Sequence, residues 1–277
     1  MTDVCVVGSL NIDVAARVAN LPRPGETVSA SDLSRAPGGK GANQALAAAR
    51  AGAETMLMGR IGDDSAGSEY LAGLGERGVD CLAVVVTDAT PSGHALIAVN
   101  EAGENTIIVA PGANAAVTTS DVDRWRSQIA DARVLLLQFE LPDEVTAHAA
   151  RLAKQSDTTV VLNPSPFKPV DPELLADIDI LVVNELEQSE LGDTGVSTVV
   201  TLGADGARWD DVHVPSPSVE HVDTTGAGDA FTGTFAAALA SGADKTAALE
   251  AAVAAGSAAC EHHGAQGWVF GEAESGD

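Results

Sequence analysis

Residues 134–162, VLLLQFELPDEVTAHAARLAKQSDTTVVL, carry the clearest signal of fold class in this chain. Two short apolar runs, Val134–Leu137 and Thr159–Leu162, flank a segment of helical length from Asp143 to Lys154. Strands that are apolar throughout and separated by helices are typical of a parallel sheet that is covered on both faces. These residues therefore predict a strand–helix–strand unit of an α/β protein.

The same alternation continues on either side of this unit. The apolar run Val4–Val7 precedes a helical segment at Gly41–Ala51, and Ile180–Val183 and Val199–Leu202 are further candidate strands. Because aromatic residues are only 3% of the composition, Ala, Val, Leu and Ile must build most of the core. The predicted fold class is α/β with a mostly parallel sheet.

Two stretches interrupt the alternation and predict strands outside the main sheet. They are Asp13–Ala36, which contains Pro22, Pro24 and Gly25, and Val84–Val109. In the second, Ala95–Asn100 and Asn105–Val109 flank a polar turn, which is typical of an antiparallel hairpin. Residues 13–36 and 84–109 would form a small β appendage, and over an active site it would act as a lid.

The charge balance is strongly acidic, with 40 Asp and Glu against 15 Lys and Arg and a net charge of −25. This argues against nucleic acids and anionic membrane surfaces as partners. Because the acidic residues are spread along the chain, we favour a salt-adapted surface over a polyanionic binding role. At molar ionic strength, repulsion between such charges is screened within about 3 Å.

The cysteines give no sign of an oxidising compartment. Cys5, Cys81 and Cys260 are isolated, so neither a disulfide framework nor a zinc site is predicted. No basic stretch followed by an apolar run opens the chain, and the Ala-rich segment Phe235–Cys260 is interrupted by charged residues. We expect a soluble cytoplasmic protein.

The glycine-rich turn Asp223-Thr-Thr-Gly-Ala-Gly-Asp229 precedes Ala230–Ala240, which is rich in small residues and predicts a helix. Unpaired N–H groups and the helix dipole make such a helix N-terminus a site for an anion. Beside a bound phosphate, Asp229 could take the proton of an attacking hydroxyl. The alternative is a capping turn in which Thr225 or Asp229 only satisfies backbone amides.

A second glycine-rich turn, Pro37-Gly-Gly-Lys-Gly-Ala-Asn43, also precedes a helix and lacks the Walker A spacing. Lys40 and Asn43 offer donors suited to hydroxyl groups. Asn11 and Asp13 follow the first strand, where open α/β sheets bind ligands, and together they suit neighbouring hydroxyls. Alternatively, Pro37–Asn43 is an ordinary tight turn, and Asn11 and Asp13 are isolated turn-forming residues.

Two more polar turns follow predicted strands. Asn184-Glu-Leu-Glu187 offers a carboxylate that could hold Mg²⁺ through water, or alternatively a helix cap with Glu at its third position. Thr201-Leu-Gly-Ala-Asp-Gly206 is again a strand that leads into a glycine turn. Together, five such turns at predicted strand ends favour a ligand site.

In this order the segments resemble the ribokinase/PfkB family of carbohydrate and nucleoside kinases, from Val6 to Gln266. Asp223–Phe231 is similar to the C-terminal signature of the family, and Gly38–Asn43 is similar to its N-terminal counterpart. Other segments that carry the resemblance are Gly8–Asp13, Pro24–Thr27, Asn100–Asn105, Gly112–Ala115, Gln138–Glu140, Asn163–Pro166 and Gly264–Gln266.

The resemblance implies a single kinase domain over residues 1–277, an α/β/α sandwich with a β lid. It implies transfer of the γ-phosphate of ATP to a sugar hydroxyl, with ribose the first choice of acceptor. It further implies Mg²⁺ and K⁺ as cofactors, a small-molecule sugar and a nucleotide as ligands, and a homodimer formed through the lid.

The resemblance also assigns roles to individual residues. Asp229 is the catalytic base, with an anion hole at Gly226, Ala227 and Gly228. The residues placed around the sugar are Asn11, Asp13, Gly39, Lys40, Asn43 and Glu140. Those assigned to the nucleotide are Asn184, Glu187, Thr201, Gly203, Gly206 and Gly228, with Glu187 reaching Mg²⁺ through water. The monovalent-cation ligands are Asp223, Thr225 and backbone carbonyls at Ala259, His262 and Gly264, with Trp268 where a serine ligand is expected.

The sequence leaves the acceptor and the phosphate donor open. Ribose 1-phosphate, another furanose or a nucleoside would use the same reaction, and GTP or ADP could replace ATP. The cations available for a phosphorylated acceptor are Arg17, Arg23, Arg35 and His94. A non-catalytic sugar or nucleotide sensor belongs to a different class of protein, and it is disfavoured because a binding protein has no use for a placed base.

Overall fold

The computed structural model describes residues 2–270, in which strands and helices alternate along the chain. These residues contain thirteen strands: β1 (Val4–Val7), β2 (Asn11–Val18), β3 (Ala30–Gly38), β4 (Thr55–Gly62), β5 (Val79–Thr87), β6 (Gly93–Val99), β7 (Asn105–Ala110), β8 (Val134–Leu137), β9 (Thr159–Leu162), β10 (Ile180–Asn184), β11 (Ser197–Thr201), β12 (Ala207–Trp209) and β13 (Val212–Val214). The helices of the same residues are α1 (Lys40–Arg50), α2 (Ser65–Glu76), α3 (Thr119–Arg124), α4 (Arg126–Asp131), α5 (Asp143–Lys154), α6 (Pro172–Leu175), α7 (Glu185–Leu191), α8 (Ala227–Ala240), α9 (Lys245–Ala259) and α10 (Gly267–Phe270).

Nine of the strands form the main sheet, in the order β13-β12-β11-β10-β9-β8-β1-β4-β5. Neighbours from β11 to β5 are parallel, and β12 and β13 add an antiparallel edge. Parallel neighbours need crossover connections, and α5 supplies the one between β8 and β9. The predicted α/β class is confirmed, and the bounds predicted within residues 134–162 match β8, α5 and β9.

Strand β1 shows why the strands of this sheet are apolar throughout. Val4 and Val6 lie in a first apolar cluster with residues of α1, α8 and α9, whereas Cys5 and Val7 lie in a second cluster with residues of α5. Successive side chains of a strand point to opposite faces of its sheet. Since helices cover both faces, every residue of β1 is buried.

Each of the three tryptophans lies in a different apolar cluster. Trp209 meets Phe235 edge-on in the first cluster, with ring centroids 5.2 Å apart, and Trp125 lies in the second. Trp268 belongs to a third, small cluster that includes Ala230. All three indole rings are buried, so each tryptophan packs in a separate part of the core.

Four strands form a separate small sheet in the order β3-β2-β6-β7. Two expectations about the interrupting segments are wrong. Residues Val84–Thr87 belong to β5 at the edge of the main sheet, and the central pair of the small sheet, β2 and β6, is parallel. The reason is that β2 and β6 follow β1 and β5 after short connections. Because β1 and β5 run in the same direction, their continuations do so too.

The structure bears on part of the predicted domain only. Met1 and residues 271–277 of the predicted 1–277 domain lie outside the described residues. Among residues 2–270, none of the helices combines the length and the hydropathy that a membrane crossing requires.

Candidate active site

The predicted anion site lies at the N-terminus of α8. Gly226 has a left-handed φ of 81°, and α8 begins at Ala227 without a side-chain cap. A Cβ atom at residue 226 would lie 2.6 Å from the Cα atom of Ala265, so only glycine fits here. No side chain caps this turn, so the helix dipole and the N–H groups at its start favour an anion. The N–H of Ala227 donates weakly to the carbonyl of Thr224, at 3.3 Å.

Asp229 is the third residue of α8 and is only 6% exposed. Its carboxylate leaves the backbone of α8 uncapped and turns toward α1. Asn43 Nδ2 donates to Oδ2 of Asp229 at 3.0 Å, and Gln44 Nε2 donates to Oδ1 at 2.9 Å. The interpretation of Asp229 as a helix cap is therefore wrong, and a carboxylate fixed beside an anion site has the geometry of a general base.

Lys40 begins α1 and lies among the carboxylates of the site. Asp229 raises the pKa of Lys40, burial opposes this effect, and Glu140 and Glu187 raise the pKa further. The ammonium group therefore stays protonated. Its positive charge therefore lies close to the carboxylates of Asp229, Glu140 and Glu187.

Glu140 follows β8 and receives two hydrogen bonds on Oε2. The hydroxyl of Ser9 donates to it at 2.5 Å, and the backbone N–H of Lys40 donates at 2.9 Å. Ser9 is fully buried, and its hydroxyl also accepts the N–H of Gly41 at 3.3 Å. These bonds join the end of β8 to the start of α1 and fix the carboxylate of Glu140.

Asn11 begins β2 and is held by a residue that the sequence did not single out. Asn114 Nδ2 donates to Oδ1 of Asn11 at 2.8 Å, and the Asn114 amide bonds both backbone groups of Leu10. Gly39 has a φ of 90°, and a Cβ atom there would lie 2.7 Å from the backbone nitrogen of Asn11. The glycine thus allows the start of α1 to approach the start of β2 closely.

The carboxyl group of Asp13 lies close enough to those of Glu140 and Asp229 to be affected by their charges. Its pKa is raised to about 6, first by burial and then by Glu140 and Asp229, while His94 has the opposite effect. The residues predicted around the sugar are therefore brought together. They form an acidic, largely buried cluster that contains one ammonium group, that of Lys40.

A cavity of about 250 Å³ lies beside the N-terminus of α8. Its walls combine the predicted residues Thr201, Gly203 and Gly206 with Ala227 and Gly228. The structure therefore brings the glycine turn after β11 against the anion site. A cavity that joins apolar walls to an anion site suits a nucleotide whose phosphates reach α8.

Asn184 and Glu187 form a capping box at the start of α7. Oδ1 of Asn184 accepts the N–H of Glu187, and Oε2 of Glu187 accepts the N–H of Asn184, both at 2.8 Å. The helix-cap alternative is therefore confirmed as local structure. Because Glu187 also raises the pKa of Lys40, its charge acts on the site, and a carboxylate there fits Mg²⁺ held through water.

Asp223 joins two of the segments predicted to hold a monovalent cation. Its Oδ2 atom accepts the N–H of Gly264 and its Oδ1 atom accepts the N–H of Thr225, both at 2.9 Å. Burial would raise the pKa of Asp223, but the hydrogen bonds from Gly264 and Thr225 outweigh it and lower that pKa. The carboxylate stays charged, and together with the predicted backbone carbonyls it would offer oxygen ligands that suit a hard cation.

The other predicted ligand positions of this cation lie near Gly264 in the sequence, between residues 259 and 268. The carbonyl of Ala259 accepts the N–H of His262 at 3.3 Å. Trp268 is buried, with the Arg50 guanidinium 4.8 Å from its ring centroid, and it supplies no side-chain oxygen where a serine was expected.

Sequence analysis assigned no role to several polar residues that the structure brings into the site, although all of them except Gln44 lie in segments that carry the family resemblance. They are Ser9, Gln44, Asn114, Gln138 and Gln266, each of them less than a tenth exposed. Two signals could have found them. Gln44 directly follows the glycine-rich turn that ends at Asn43, and Gln138 directly follows the apolar run that ends at Leu137.

The α/β fold, the uncapped helix N-terminus and the buried carboxylate beside it are features expected of a small-molecule kinase. The model of the pfkB family of carbohydrate kinases matches residues 1–269. The chain belongs to this family and is a carbohydrate kinase.

Individual relatives are similar over nearly the whole chain. Ribokinase from Bacillus subtilis (strain 168) is 37% identical over 281 residues, with 96% of each chain covered. Deoxyribokinase from Salmonella typhi is 33% identical over 275 residues, with 91% of this chain and 90% of the relative covered. The structure of Arabidopsis thaliana ribokinase complexed with ribose and ATP has a TM-score of 0.85 at 32% identity, covering 95% of this chain and 94% of the other.

Proposed function

We propose that this kinase transfers the γ-phosphate of ATP to the 5-hydroxyl of ribose, giving ribose 5-phosphate and ADP. The observation that supports this most directly is the buried carboxylate of Asp229 beside the uncapped N-terminus of α8. Ribose is favoured because the relatives include ribokinases, one of which is complexed with ribose and ATP.

In the reaction, Asp229 takes the proton of the hydroxyl as the hydroxyl oxygen forms a bond to the γ-phosphorus. The bond from that phosphorus to the bridging oxygen breaks, and its electron pair leaves with ADP. The N–H groups of Gly226, Ala227 and Gly228 stabilise the charge on the transferred group. Lys40 adds a positive charge at the same place.

The sugar lies against the acidic residues around Asp229. The carboxylates of Asp13 and Glu140 accept hydrogen bonds from its hydroxyls, since sugar hydroxyls are donors as well as acceptors. The full set of sugar residues is Asn11, Asp13, Gly39, Lys40, Asn43 and Glu140.

We expect kcat/KM for the sugar to fall as the pH is lowered through about 6, the value to which the pKa of Asp13 is raised. Below it Asp13 is protonated and accepts fewer hydrogen bonds, so binding should weaken by about tenfold for each pH unit further down. Activity measured from pH 5 to 8 tests this. Asp13→Asn should lower kcat/KM and remove this limb, and a limb unchanged in that variant would contradict the assignment.

The nucleotide occupies the cavity beside α8, with its phosphates toward Gly228. Thr201, Gly203 and Gly206 line the cavity. Asn184 and Glu187, the residues proposed for the phosphate groups, lie at and just after the end of the neighbouring strand β10, where Asn184 pairs with Thr201. Mg²⁺, when bound through water to Glu187, neutralises charge on the β- and γ-phosphates. The capping box holds Glu187 in place for this role.

A monovalent cation, K⁺, is held by Asp223, Thr225 and the carbonyls of Ala259, His262 and Gly264. Because Asp223 ties the turn before α8 to the segment after α9, a cation here would fix the anion hole. We expect NaCl in place of KCl, at equal ionic strength, to lower kcat. Equal kcat in KCl, NaCl and the chloride of a large organic cation would contradict this site.

We further propose that the protein is cytoplasmic and comes from a salt-adapted organism, because its acidic residues are spread along the chain. A net charge of −25 spread along the chain destabilises the fold until salt screens it. We expect the melting temperature to rise between about 0.1 M and molar KCl. Thermal unfolding across this range measures the effect, and an unchanged Tm would refute it.

The small sheet acts as a lid and pairs with that of a second subunit to form a homodimer. Its exposed surface includes large apolar side chains, Leu33, Leu96, Ile107, Ile108 and Val109 among them. Contact with a second copy would remove them from water. Sedimentation of the protein in KCl tests for the dimer.

A second candidate function keeps the reaction and changes the acceptor to ribose 1-phosphate, another furanose or a nucleoside. It is favoured by Arg35, which lines a cavity of about 370 Å³ between the small sheet and α2, and by the deoxyribokinase relative. The further cations for a phosphorylated acceptor are Arg17, Arg23 and His94, of which His94 bonds the carbonyl of Ser92 through Nδ1.

One screen separates these functions. Consumption of ATP, GTP and ADP is measured in high KCl with ribose, 2-deoxyribose, ribose 1-phosphate and nucleosides as acceptors. We expect ribose with ATP to give the highest kcat/KM, and ribose performing no better than the other acceptors would overturn this choice. A sensor would bind sugar or nucleotide with no turnover for any of them.

A further inference from the structure

Side-chain amides hold Asp229 on both of its oxygens. Gln44 of α1 is fully buried, and its Nε2 atom donates to Oδ1 of Asp229 at 2.9 Å. Asn43, the preceding residue, donates from Nδ2 to the other oxygen at 3.0 Å. Each oxygen of the base therefore carries one amide hydrogen bond.

Two donors do more to this carboxylate than one would. The terminal torsion of an aspartate is broad, so a carboxylate held at one oxygen can still turn. Donors from neighbouring residues of one helix, one on each oxygen, fix the plane of the group. A base in a fixed plane presents the same lone pair to every incoming hydroxyl, and near-attack geometry depends on that alignment.

The orientation of the Gln44 amide is itself determined by its neighbours. Gln138 Nε2 donates to Oε1 of Gln44 at 2.7 Å, and Nε2 of Gln44 also donates to Oδ1 of Asn163 at 3.2 Å. Half a turn of the amide would set oxygen against oxygen and NH₂ against NH₂. The network therefore keeps Gln44 as a donor to Asp229.

Stability alone does not account for this arrangement. Gln138 is 2% exposed, and its Oε1 atom has no hydrogen-bond partner within residues 2–270. An unpaired buried acceptor costs about 1–3 kcal/mol. Local conflicts of this kind are expected where function, and not packing, has chosen the residue. Here the amide of Gln138 orients Gln44.

We infer that Gln44 is a positioning residue for phosphoryl transfer, which acts on the reaction through Asp229 by fixing the plane of its carboxylate. The inference rests on the proposed role of Asp229 as the base. Asp13, Lys40 and Glu140 also act on this site through their charges, and they are left unchanged in the test.

The test is a double-mutant cycle of Gln44→Met with Asp229→Asn. Methionine keeps the length of the side chain and removes the donor. We expect Gln44→Met to lower kcat by about 10- to 100-fold, since small misplacements of reacting groups cost up to about that much. KM for sugar and nucleotide should change by less than about threefold. In the Asp229→Asn background the same change should lower kcat no further, because no base remains to be positioned.

Gln138→Met is a matched second variant that leaves both donors to Asp229 in place. It removes the unpaired Oε1 atom of Gln138 and leaves Oε1 of Gln44 unpaired instead, so Tm should be nearly unchanged. The amide of Gln44 then loses the partner of its Oε1 atom and is held only through Nε2, by Asp229 and Asn163. Its position is less well fixed, so kcat should still fall by a few-fold. This variant provides the decision if Gln44→Met does not fold.

Each outcome decides the matter. Equal losses of kcat in both backgrounds, or a parent-like kcat in either single variant, would show that Gln44 is only a packed core residue. A parent enzyme without kinase activity on any acceptor would instead contradict the proposed function. An active parent with an unaffected Gln44→Met variant contradicts this inference alone.

Discussion

Asp229→Asn is expected to lower kcat by about 10² to 10⁴, the range that general-base catalysis supplies. The amide keeps the shape of the carboxylate and cannot accept the hydroxyl proton. Because Asn43 and Gln44 both donate to this side chain, the new NH₂ group must also face one of these donors. Steady-state kinetics with ribose and ATP measure the loss.

Binding should survive this change, since the carboxylate of Asp229 repels the γ-phosphate and its removal relieves that repulsion. We expect the affinity for nucleotide and sugar to stay within a few-fold of the parent. Tm should fall, because the new NH₂ group faces the donor of Asn43 or of Gln44. A variant that keeps near-parent kcat would remove Asp229 from the chemistry. The assignment of this carboxylate as the base would then be wrong.

Gly226→Ala is expected to lower kcat by at least about 10², the cost of losing one donor of an oxyanion-type site. The new Cβ atom would lie 2.6 Å from both Cα and the carbonyl oxygen of Ala265, so the start of α8 must shift. That shift displaces the N–H groups of the anion hole and also Asp229, three residues beyond Gly226.

Gly242→Ala is the matched control at the other end of the same helix. Gly242 has a φ of 82°, nearly that of Gly226, but a Cβ atom there would meet nothing within 4 Å. Both variants carry the backbone strain of a left-handed alanine, roughly 1–2 kcal/mol, and only one carries the clash. Equal kcat values for the two would show that the geometry of the loop at Gly226 does not matter.

The regular part of the fold could be predicted because its signals are local. The apolar runs at β1, β8 and β9 are short, uniform and separated by helices, and both faces of the sheet are covered. The small sheet could be located but not correctly paired. Strands β2 and β6 pair in parallel because β1 and β5 run in the same direction. The end of β1 and the start of β5 are 72 positions apart in the chain.

The site could be predicted where glycine and a charged residue occur together in a turn. Asp229 and Lys40 carry such signals, and Glu187 ends a polar turn after a predicted strand. Gln44 and Gln138 are neutral residues within or next to apolar segments. Their importance comes from distances between elements, such as the 2.7 Å between their amides. No spacing within the chain encodes that distance, so only the folded structure reveals the pair.

The distribution of the tryptophans makes the protein suited to fluorescence. Trp209, Trp125 and Trp268 lie in three different apolar clusters, and none is exposed. Variants that keep a single indole would therefore each emit from a different part of the core. The loss of each emission band during denaturation would report whether the two faces of the main sheet and the segment after α9 come apart together or in sequence.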